Sequence, residues 1–190
     1  FNHPLSVSTT LAIMRAGLVW VPLNPRNGLA DNAALLESFD CDILFFHSDF
    51  ADALELFRKS APSIERFVCL DADLGDDSLE TFIANQDALE RTFDYDPLDT
   101  VMMGGTGGTT GKPKGVLMSH VGAVTKLALD IGVSFDLGPD DRMIWISDMG
   151  WVVGALTAVS TSFVGGSLLL VEGTPDYPDT TRHWRVMQEN

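Results

Sequence analysis

The stretch Gly104-Gly-Thr-Gly-Gly-Thr-Thr-Gly-Lys-Pro-Lys-Gly115 holds six glycines, three threonines and two lysines within twelve residues. Glycine lets the backbone approach a ligand closely, and consecutive N–H groups in such a loop form a concave anion site. Threonine hydroxyls add neutral donors, and lysines add point charges suited to phosphate oxygens. Apolar strands are predicted on both sides, DTVMM at 99–103 and GVLMSH at 115–120. The stretch therefore predicts a phosphate-binding loop after a buried strand, where α/β folds usually place phosphates.

Two familiar nucleotide-binding loops do not fit this spacing. A kinase-type P-loop needs glycine five residues before Gly111, where Thr106 stands, and Ser or Thr where Pro113 stands. The dinucleotide fingerprint GxGxxG can start at Gly105, but its last glycine would fall on Thr110. The loop therefore belongs to another class of phosphate binder.

Around the loop, short apolar runs alternate with segments of helical spacing, which predicts an α/β fold with a largely parallel sheet layered with helices. The predicted helices are Leu11–Ala16, Ala30–Ser38, Phe50–Ser60, Ser78–Asn85, Val121–Gly132, Val152–Phe163 and Thr180–Glu189. The other extended segments are VWVPLNP (19–25), CDILFFH (41–47), RFVCLD (66–71), RMIWIS (142–147) and SLLLV (167–171).

The composition is that of an acidic folded chain. The 190 residues are 45% hydrophobic and carry a formal net charge of −15, which excludes disorder and collagen and argues against binding a nucleic-acid backbone. The charge is uneven: residues 1–100 hold 6 basic and 18 acidic side chains, and residues 101–190 hold 6 and 9. An anionic substrate is therefore expected in the second half, which contains the loop.

Cysteine usage and hydropathy indicate a cytosolic protein. Cys41 and Cys69 form no CxxC pair and are expected to be buried, reduced thiols, and the first residues show no secretory signal. The segment Met149–Val171 has no charged residue and is long enough to cross a bilayer. The pair Gly165-Gly166 is expected to split it into a helix and a strand, so no transmembrane span is predicted.

The loop resembles the signature of the AMP-forming acyl-CoA synthetases, the adenylate-forming superfamily, which reads Thr-Ser/Gly-Gly-Ser/Thr-Thr-Gly-x-Pro-Lys-Gly. Residues 106–111 and 113–115 fill every constrained place, Lys112 takes the free one, and VLMSH (116–120) matches the usual continuation. The segment LAIMRAGLVWVPLNPR (11–26) is similar to an early helix-to-strand segment of the family. Residues 147–184 resemble the region after the loop in acetyl-, acetoacetyl- and medium-chain acyl-CoA synthetases.

The resemblance implies a reaction in which a carboxylate and ATP form an acyl-adenylate and pyrophosphate, after which CoA takes the acyl group. ATP, Mg²⁺ and CoA are thus the implied cofactor and cosubstrates. Lys114 would lie beside the leaving pyrophosphate, as the catalytic residue, or hold the loop in place. The residues that would cradle the phosphates are Thr106, Gly107, Gly108, Thr109, Thr110, Gly111 and Lys112.

A Gly-Trp pair precedes the acyl pocket in the synthetases that this chain resembles. Trp151, Val152, Val153 and Gly154 are therefore candidates for the acyl-binding wall, with simple core packing as an equal alternative. The acidic side chain of Asp148 interrupts this apolar stretch, and a structural hydrogen bond is as good an interpretation as a site role. His120 is expected to cap a helix or to pack rather than to transfer protons. No residue is assigned to a metal.

Several parts of the family pattern have no counterpart among these residues: the Tyr-Gly-x-Thr-Glu segment, the Thr-Gly-Asp segment, the hinge and the late catalytic lysine. Residues 1–190 are therefore expected to be an incomplete N-terminal AMP-binding domain, inactive alone and without the C-terminal domain. An adenylation domain for an amino or aryl acid, and a non-catalytic nucleotide-binding module, remain alternatives.

Overall fold

The computed structural model describes residues 3–84, 86–87, 95–106, 114–147 and 149–190. Its α-helices are α1 (Pro4–Arg15), α2 (Leu29–Ser38), α3 (Leu54–Ser60), α4 (Leu79–Ala84), α5 (His120–Leu127), α6 (Val152–Phe163) and α7 (Arg182–Glu189). Its strands are β1 (Ile43–Phe46), β2 (Arg66–Cys69), β3 (Asp77–Ser78), β4 (Thr100–Thr106), β5 (Lys114–Ser119), β6 (Arg142–Ile144) and β7 (Ser167–Leu169). A 3₁₀ helix (Ser48–Ala53) precedes α3, and a π-helical turn (Ala128–Ser134) follows α5.

The first half of the chain forms a three-stranded parallel sheet in the order β1-β2-β3. The crossover from β1 to β2 runs through the 3₁₀ helix and α3, as a parallel connection requires. Continuous apolar runs supply strands that are buried on the sheet, as in RFVC, where Phe67, Val68 and Cys69 are fully covered. The core that α2 and α3 build on this sheet contains Ala33, Leu36, Leu44, Phe46, Phe57 and Ile64.

The second half is organised around an antiparallel pair, β4 and β5. Trp20 joins this pair in parallel through a bridge to Met102, which ties the extended segment after α1 to β4. A third sheet pairs β6 with β7 in parallel, and α6 lies in the connection between these two strands. The core of this half contains Trp20, Val101, Met102, Ala123, Met149, Ala155 and Ala158.

Most predicted helices and strands are found within a few residues of their expected bounds, and the mixed α/β class with parallel pairing is confirmed. The pairing of β4 with β5 is antiparallel. A short connection can join two antiparallel strands, whereas parallel strands need a long crossover. The predicted RMIWIS strand ends at Ile144, because its pairing with β7 ends there. Ile146, beyond this pairing, is 62% exposed. Within 19–25, the bridge at Trp20 is the strand pairing that the described residues show.

Helix α1 begins seven residues before its predicted start at Leu11. His3 caps it, because its Nδ1 accepts a hydrogen bond from the Leu5 N–H, and Pro4 occupies the first turn, where proline is favoured. The run of Ser, Val and Thr at residues 6–10 has weak helix propensity, so its pattern gave little helical signal. Helix α1 packs on α6, and in proteins such tertiary packing supplies most of the stability of a helix.

The charge-free segment Met149–Val171 is divided as expected: α6 ends at Phe163, Gly165 takes φ +79°, and β7 follows. None of the helices in the described ranges is long and apolar enough to cross a membrane. Both cysteines are free thiols; Cys69 is buried, whereas Cys41 is half-buried. Burial, with the nearby Asp42 and Asp40 carboxylates, raises the pKa of Cys41 to about 11, which favours the protonated thiol at neutral pH.

Asp76 connects the loop after β2 to α3, and this connection gives a pH-dependent prediction. Arg58 Nη2 donates to Asp76 Oδ1 at 2.6 Å, and the Phe67 N–H donates to Oδ2 at 2.9 Å. These bonds, that from Arg58 above all, lower the pKa of Asp76 from its ordinary value of 3.8. The stabilisation is therefore present above pH 3.8 and is lost as the pH falls through the lower folded-state pKa.

We expect Asp76→Asn to lower the free energy of unfolding by about 1 kcal/mol at neutral pH, because the ion pair is solvent-screened. Urea denaturation across pH measures this difference, which should shrink once both states are protonated. Asp73→Asn is the matched control, since Asp73 is an exposed carboxylate of the same loop. An equal loss in both variants, or a difference that persists in acid, would contradict the assignment.

Candidate phosphate-loop site

The two strands that flank the predicted phosphate loop form one antiparallel hairpin stem, residues 100–106 and 114–119. Thr106 and Lys114 are its last register partners, so the ends of the connecting segment lie opposite each other. Residues 107–113 lie outside the described residues, and with them the predicted phosphate ligands Gly107, Gly108, Thr109, Thr110, Gly111 and Lys112. Of the predicted cradle and the catalytic lysine, the structure therefore places the backbones of Thr106 and Lys114.

The glycines of the stem make room for helices on its two faces. A methyl group at Gly104 would lie 3.0 Å from Val152 Cγ2, at the start of α6. A methyl group at Gly105 would lie 2.9 Å from Leu35 Cδ2, on α2. Successive residues of a strand face opposite sides, so α6 and α2 approach the stem from opposite faces. Gly104 and Gly105 were not among the predicted phosphate ligands, and in the structure they admit side chains of α6 and α2.

The amino-terminal end of α6 carries the four residues that were expected to line an acyl pocket. Trp151 is the N-cap residue, with an extended backbone (φ −99°, ψ 143°) and no side-chain capping bond. Trp151 is 52% exposed, Val153 is also exposed, Val152 is half-buried, and Gly154 is buried. Packing explains Gly154 and the contact of Val152 with the stem, whereas the exposed Trp151 and Val153 make little use of the core.

Gly150 is a site feature that the sequence did not predict. A methyl group there would lie 2.4 Å from the Leu23 carbonyl oxygen and 2.4 Å from Pro25 Cδ. The backbone before α6 thus passes directly against the Leu23–Pro25 segment, and only glycine fits. The Gly-Trp pair was singled out by its resemblance, but spacing along the chain could not indicate a neighbour more than a hundred residues away.

A mainly apolar cavity of about 600 Å³ is lined by α1, α2 and the extended segments 18–23 and 41–47. Met103 of the stem, Met149 and Gly150 also line it, but Trp151, Val152, Val153 and Gly154 do not. The cavity and the predicted acyl-binding residues are therefore separate features, which adjoin at Gly150.

Among the described residues, the ring of His120 packs on that of Tyr95. Its ring lies 4.6 Å from that of Tyr95, measured between centroids, at the first residue of α5. The helix is capped instead by Ser119, whose Oγ accepts a hydrogen bond from the Gly122 N–H. Asp148 lies outside the described residues. Across the part of the chain that is described, no cluster of His, Cys, Asp or Glu could hold a metal ion, so no described residue is assigned to Mg²⁺.

The amino-acid sequence of the chain is similar to those of known enzymes. Over 140 residues, the chain is 31% identical to the acetyl-coenzyme A synthetase of Methanothrix thermoacetophila, a match that covers 69% of this chain and 21% of that enzyme. The chain thus matches about a fifth of the length of this curated relative.

Solved structures share the fold. The acetoacetyl-CoA synthetase from Streptomyces lividans superposes with a TM-score of 0.83 at 24% identity, over 97% of this chain and 30% of that one. ATP-bound MatB from Rhodopseudomonas palustris superposes with a TM-score of 0.78 at 22% identity, over 97% of this chain and 35% of that one. At these identities the superpositions establish the fold alone. The family model described as AMP-binding enzyme matches residues 1–190, the full sequence, and the chain therefore belongs to the AMP-binding, adenylate-forming enzyme family.

Proposed function

We propose that this chain provides the phosphate-binding part of an AMP-forming carboxylate–CoA ligase. The observation that carries the proposal is the family match over residues 1–190, joined with the acetyl-coenzyme A synthetase similarity over 140 of them. The sequence of the loop and the antiparallel pairing of the two strands that flank it support the same function.

In the proposed reaction, a carboxylate oxygen of the acid attacks the α-phosphorus of ATP, and the bond from that phosphorus to the β-phosphate oxygen breaks. Pyrophosphate leaves, and the thiolate of CoA then attacks the acyl carbonyl and displaces AMP. Such a transfer needs alignment and charge stabilisation more than covalent help from the protein. Mg²⁺, when bound, would screen the phosphate charge.

The roles proposed for individual residues follow from the negative charge on the phosphates and on the departing pyrophosphate. The hydroxyls and N–H groups of residues 106–111 would hold the β- and γ-phosphates, with Lys112 adding a positive charge. Lys114 would stabilise the departing pyrophosphate, or would hold the loop if its side chain turns away. The stem supports this arrangement because Thr106 and Lys114 are register partners, which keeps the two ends of the loop about 5 Å apart.

The position of Val152 beside the stem supports the proposed acyl-binding role of Trp151, Val152, Val153 and Gly154. Val152 contacts the stem at Gly104, two residues before Thr106, which is about 7 Å along a strand. A carboxylate held at the start of α6 would therefore lie near the loop. The unpaired N–H groups of the first turn of a helix also favour a negative charge there.

Pyrophosphate release by the full-length gene product tests the proposed reaction. With ATP and Mg²⁺, release should depend on a carboxylic acid when acetate, acetoacetate, medium-chain, aryl and amino acids are compared. Acyl-CoA should form only when CoA is added. Amino-acid-dependent release with no use of CoA would instead identify an adenylation domain. Nucleotide binding without release for any acid would identify a non-catalytic module.

Two further proposals concern the chain as a unit. We propose that residues 1–190 do not complete a catalytic cycle alone, since the segments expected to bind ribose and Mg²⁺ have no counterpart in them. Acyl-CoA formation by the isolated 190 residues would overturn this. We also propose that the reaction takes place in the cytosol, which the free thiols support. Fractionation of cells that express the full-length product tests the location.

A further inference from the structure

Two glycines of the stem, Gly105 on β4 and Gly115 on β5, are register partners. Cross-strand partners share one face of a sheet, so together they leave a gap in the side-chain layer of that face, here named the glycine notch. Directly opposite partners on two strands lie about 5 Å apart. This separation is close to the distance of about 5–6 Å between side chains four residues apart on a helix. The notch is therefore suited to accept two side chains from one helix.

The glycine notch is occupied by Leu35 of α2 and by Phe39, the C-cap residue of that helix. A methyl group at Gly105 would lie 2.9 Å from Leu35 Cδ2 and 3.3 Å from Leu35 Cδ1. A methyl group at Gly115 would lie 3.0 Å from Phe39 Cε1 and 3.4 Å from Phe39 Cζ. Leu35 is 6% exposed, and Phe39 is half-buried. These side chains, four residues apart, thus take the space that side chains at the paired positions would fill.

The packing in the notch fits the observed register of the stem. A slip of one residue between β4 and β5 would turn every side chain of one strand to the other face. In that case a side chain such as that of Val116 would meet Phe39, and the strands would no longer end with Thr106 opposite Lys114. On the opposite face, Gly104 lies against Val152, so the stem is constrained from both sides.

We infer that Leu35 and Phe39 are positioning residues for the phosphate loop: by filling the glycine notch they fix the strand register that presents its two ends. The inference rests on the proposed function, in which residues 106–112 and 114 contact the phosphates of ATP. It assigns Gly105 and Gly115 a packing role, distinct from the contact with phosphate that glycines in such a loop suggest. Displacement of the stem by about 1 Å is enough to reduce a reaction rate on the order of 100-fold.

The test compares single and compensated variants in the full-length gene product. Gly105→Ala adds a methyl group against Leu35, and the double variant Gly105→Ala with Leu35→Val removes one carbon where one was added. Gly115→Ala and Gly115→Ala with Phe39→Leu form the second pair. Gly132→Ala is the control, because the nearest atom to its new methyl group is Val164 Cγ1 at 3.6 Å, an ordinary contact.

Because Leu35 is 6% exposed, its end has little free space into which to turn away from the new methyl group, and we expect Gly105→Ala to raise the KM for ATP several-fold, with a much smaller change in the KM for the acid. The double variant should recover most of the loss. Amide hydrogen exchange in residues 100–106 and 114–119 should accelerate in the single variant and return in the double one. Gly132→Ala should behave as the unmodified protein in both measurements.

Three results would overturn the inference: an unchanged KM for ATP in both single variants, equal effects on ATP and acid, or losses that add in the double variants. If Gly105→Ala does not fold, the Gly115 and Phe39 pair decides by the same criteria. The exchange measurement separates this inference from the proposed function. A protein that releases no pyrophosphate with any acid refutes the function, while exchange in the stem still reports whether the notch holds it.

Discussion

Gly150→Ala is expected to destabilise the protein by about 3 kcal/mol or to prevent it from folding. The added methyl group would lie 2.4 Å from the Leu23 carbonyl oxygen and 3.1 Å from the Asn24 Cα. These are backbone atoms, which cannot turn aside as the end of a side chain can. The segment before α6 would therefore have to move away from Leu23–Pro25, at the upper end of the cost of overpacking.

Urea denaturation monitored by tryptophan fluorescence measures this effect, because Trp20 and Trp151 lie in the two segments that separate. Gly138→Ala is the matched control, since its methyl group would meet Asp141 Oδ2 at an ordinary 3.7 Å. It should change stability by no more than about 0.5 kcal/mol. If Gly150→Ala shows an equally small change, the close approach of the two segments is wrong.

The same substitution has a functional consequence if Trp151–Gly154 bind the acid. Displacing the start of α6 would move Val152 away from Gly104 and so separate the acid from the phosphate loop. At a temperature where the variant is folded, the KM for the acid should therefore rise more than the KM for ATP. A rise confined to ATP would contradict the proposed acyl-binding role of these residues.

The second large effect is expected from Thr109→Ala combined with Lys114→Ala. These changes remove a hydroxyl donor and a positive charge from the proposed phosphate contacts. Loss of one preorganised donor typically reduces kcat by on the order of 10²–10³-fold, so the pair should lower kcat/KM for ATP by at least about 10²-fold. Acid-dependent pyrophosphate release at varied ATP concentration measures the loss.

A change in net charge could by itself weaken binding of an anion to this acidic protein. Lys126→Ala is therefore the control, because it removes the same charge from an exposed lysine of α5 that pairs with Asp130. Its kcat/KM for ATP should change less than about twofold, since surface ion pairs contribute little. Equal behaviour of the control and the double variant, or unchanged ATP dependence in the latter, would contradict the phosphate-binding role.

The sequence predicted most of the elements because their patterns are local. RFVCLD predicted β2 from an apolar run of strand length, and Phe50–Ser60 anticipated the 3₁₀ helix and α3 up to the residues before Pro62. The Gly165-Gly166 pair correctly divided α6 from β7. The prediction was weaker at α1, whose first turn has poor helix propensity, and at RMIWIS, where the apolar pattern continues beyond the paired residues.

For the candidate site, sequence and tertiary structure contributed different information. The sequence alone determined the class of loop, since the order of Gly, Thr, Pro and Lys in residues 104–115 is characteristic of one family, which the full-chain match confirmed. Its predicted phosphate and acyl contacts stay predictions. Only the tertiary structure decided that Gly105 and Gly115 form one notch for Leu35 and Phe39, and that Gly150 lies against Leu23. Local patterns reflect backbone preferences over a few residues, whereas these contacts join segments about 70 to 130 positions apart, and only the packing of the whole chain brings them together.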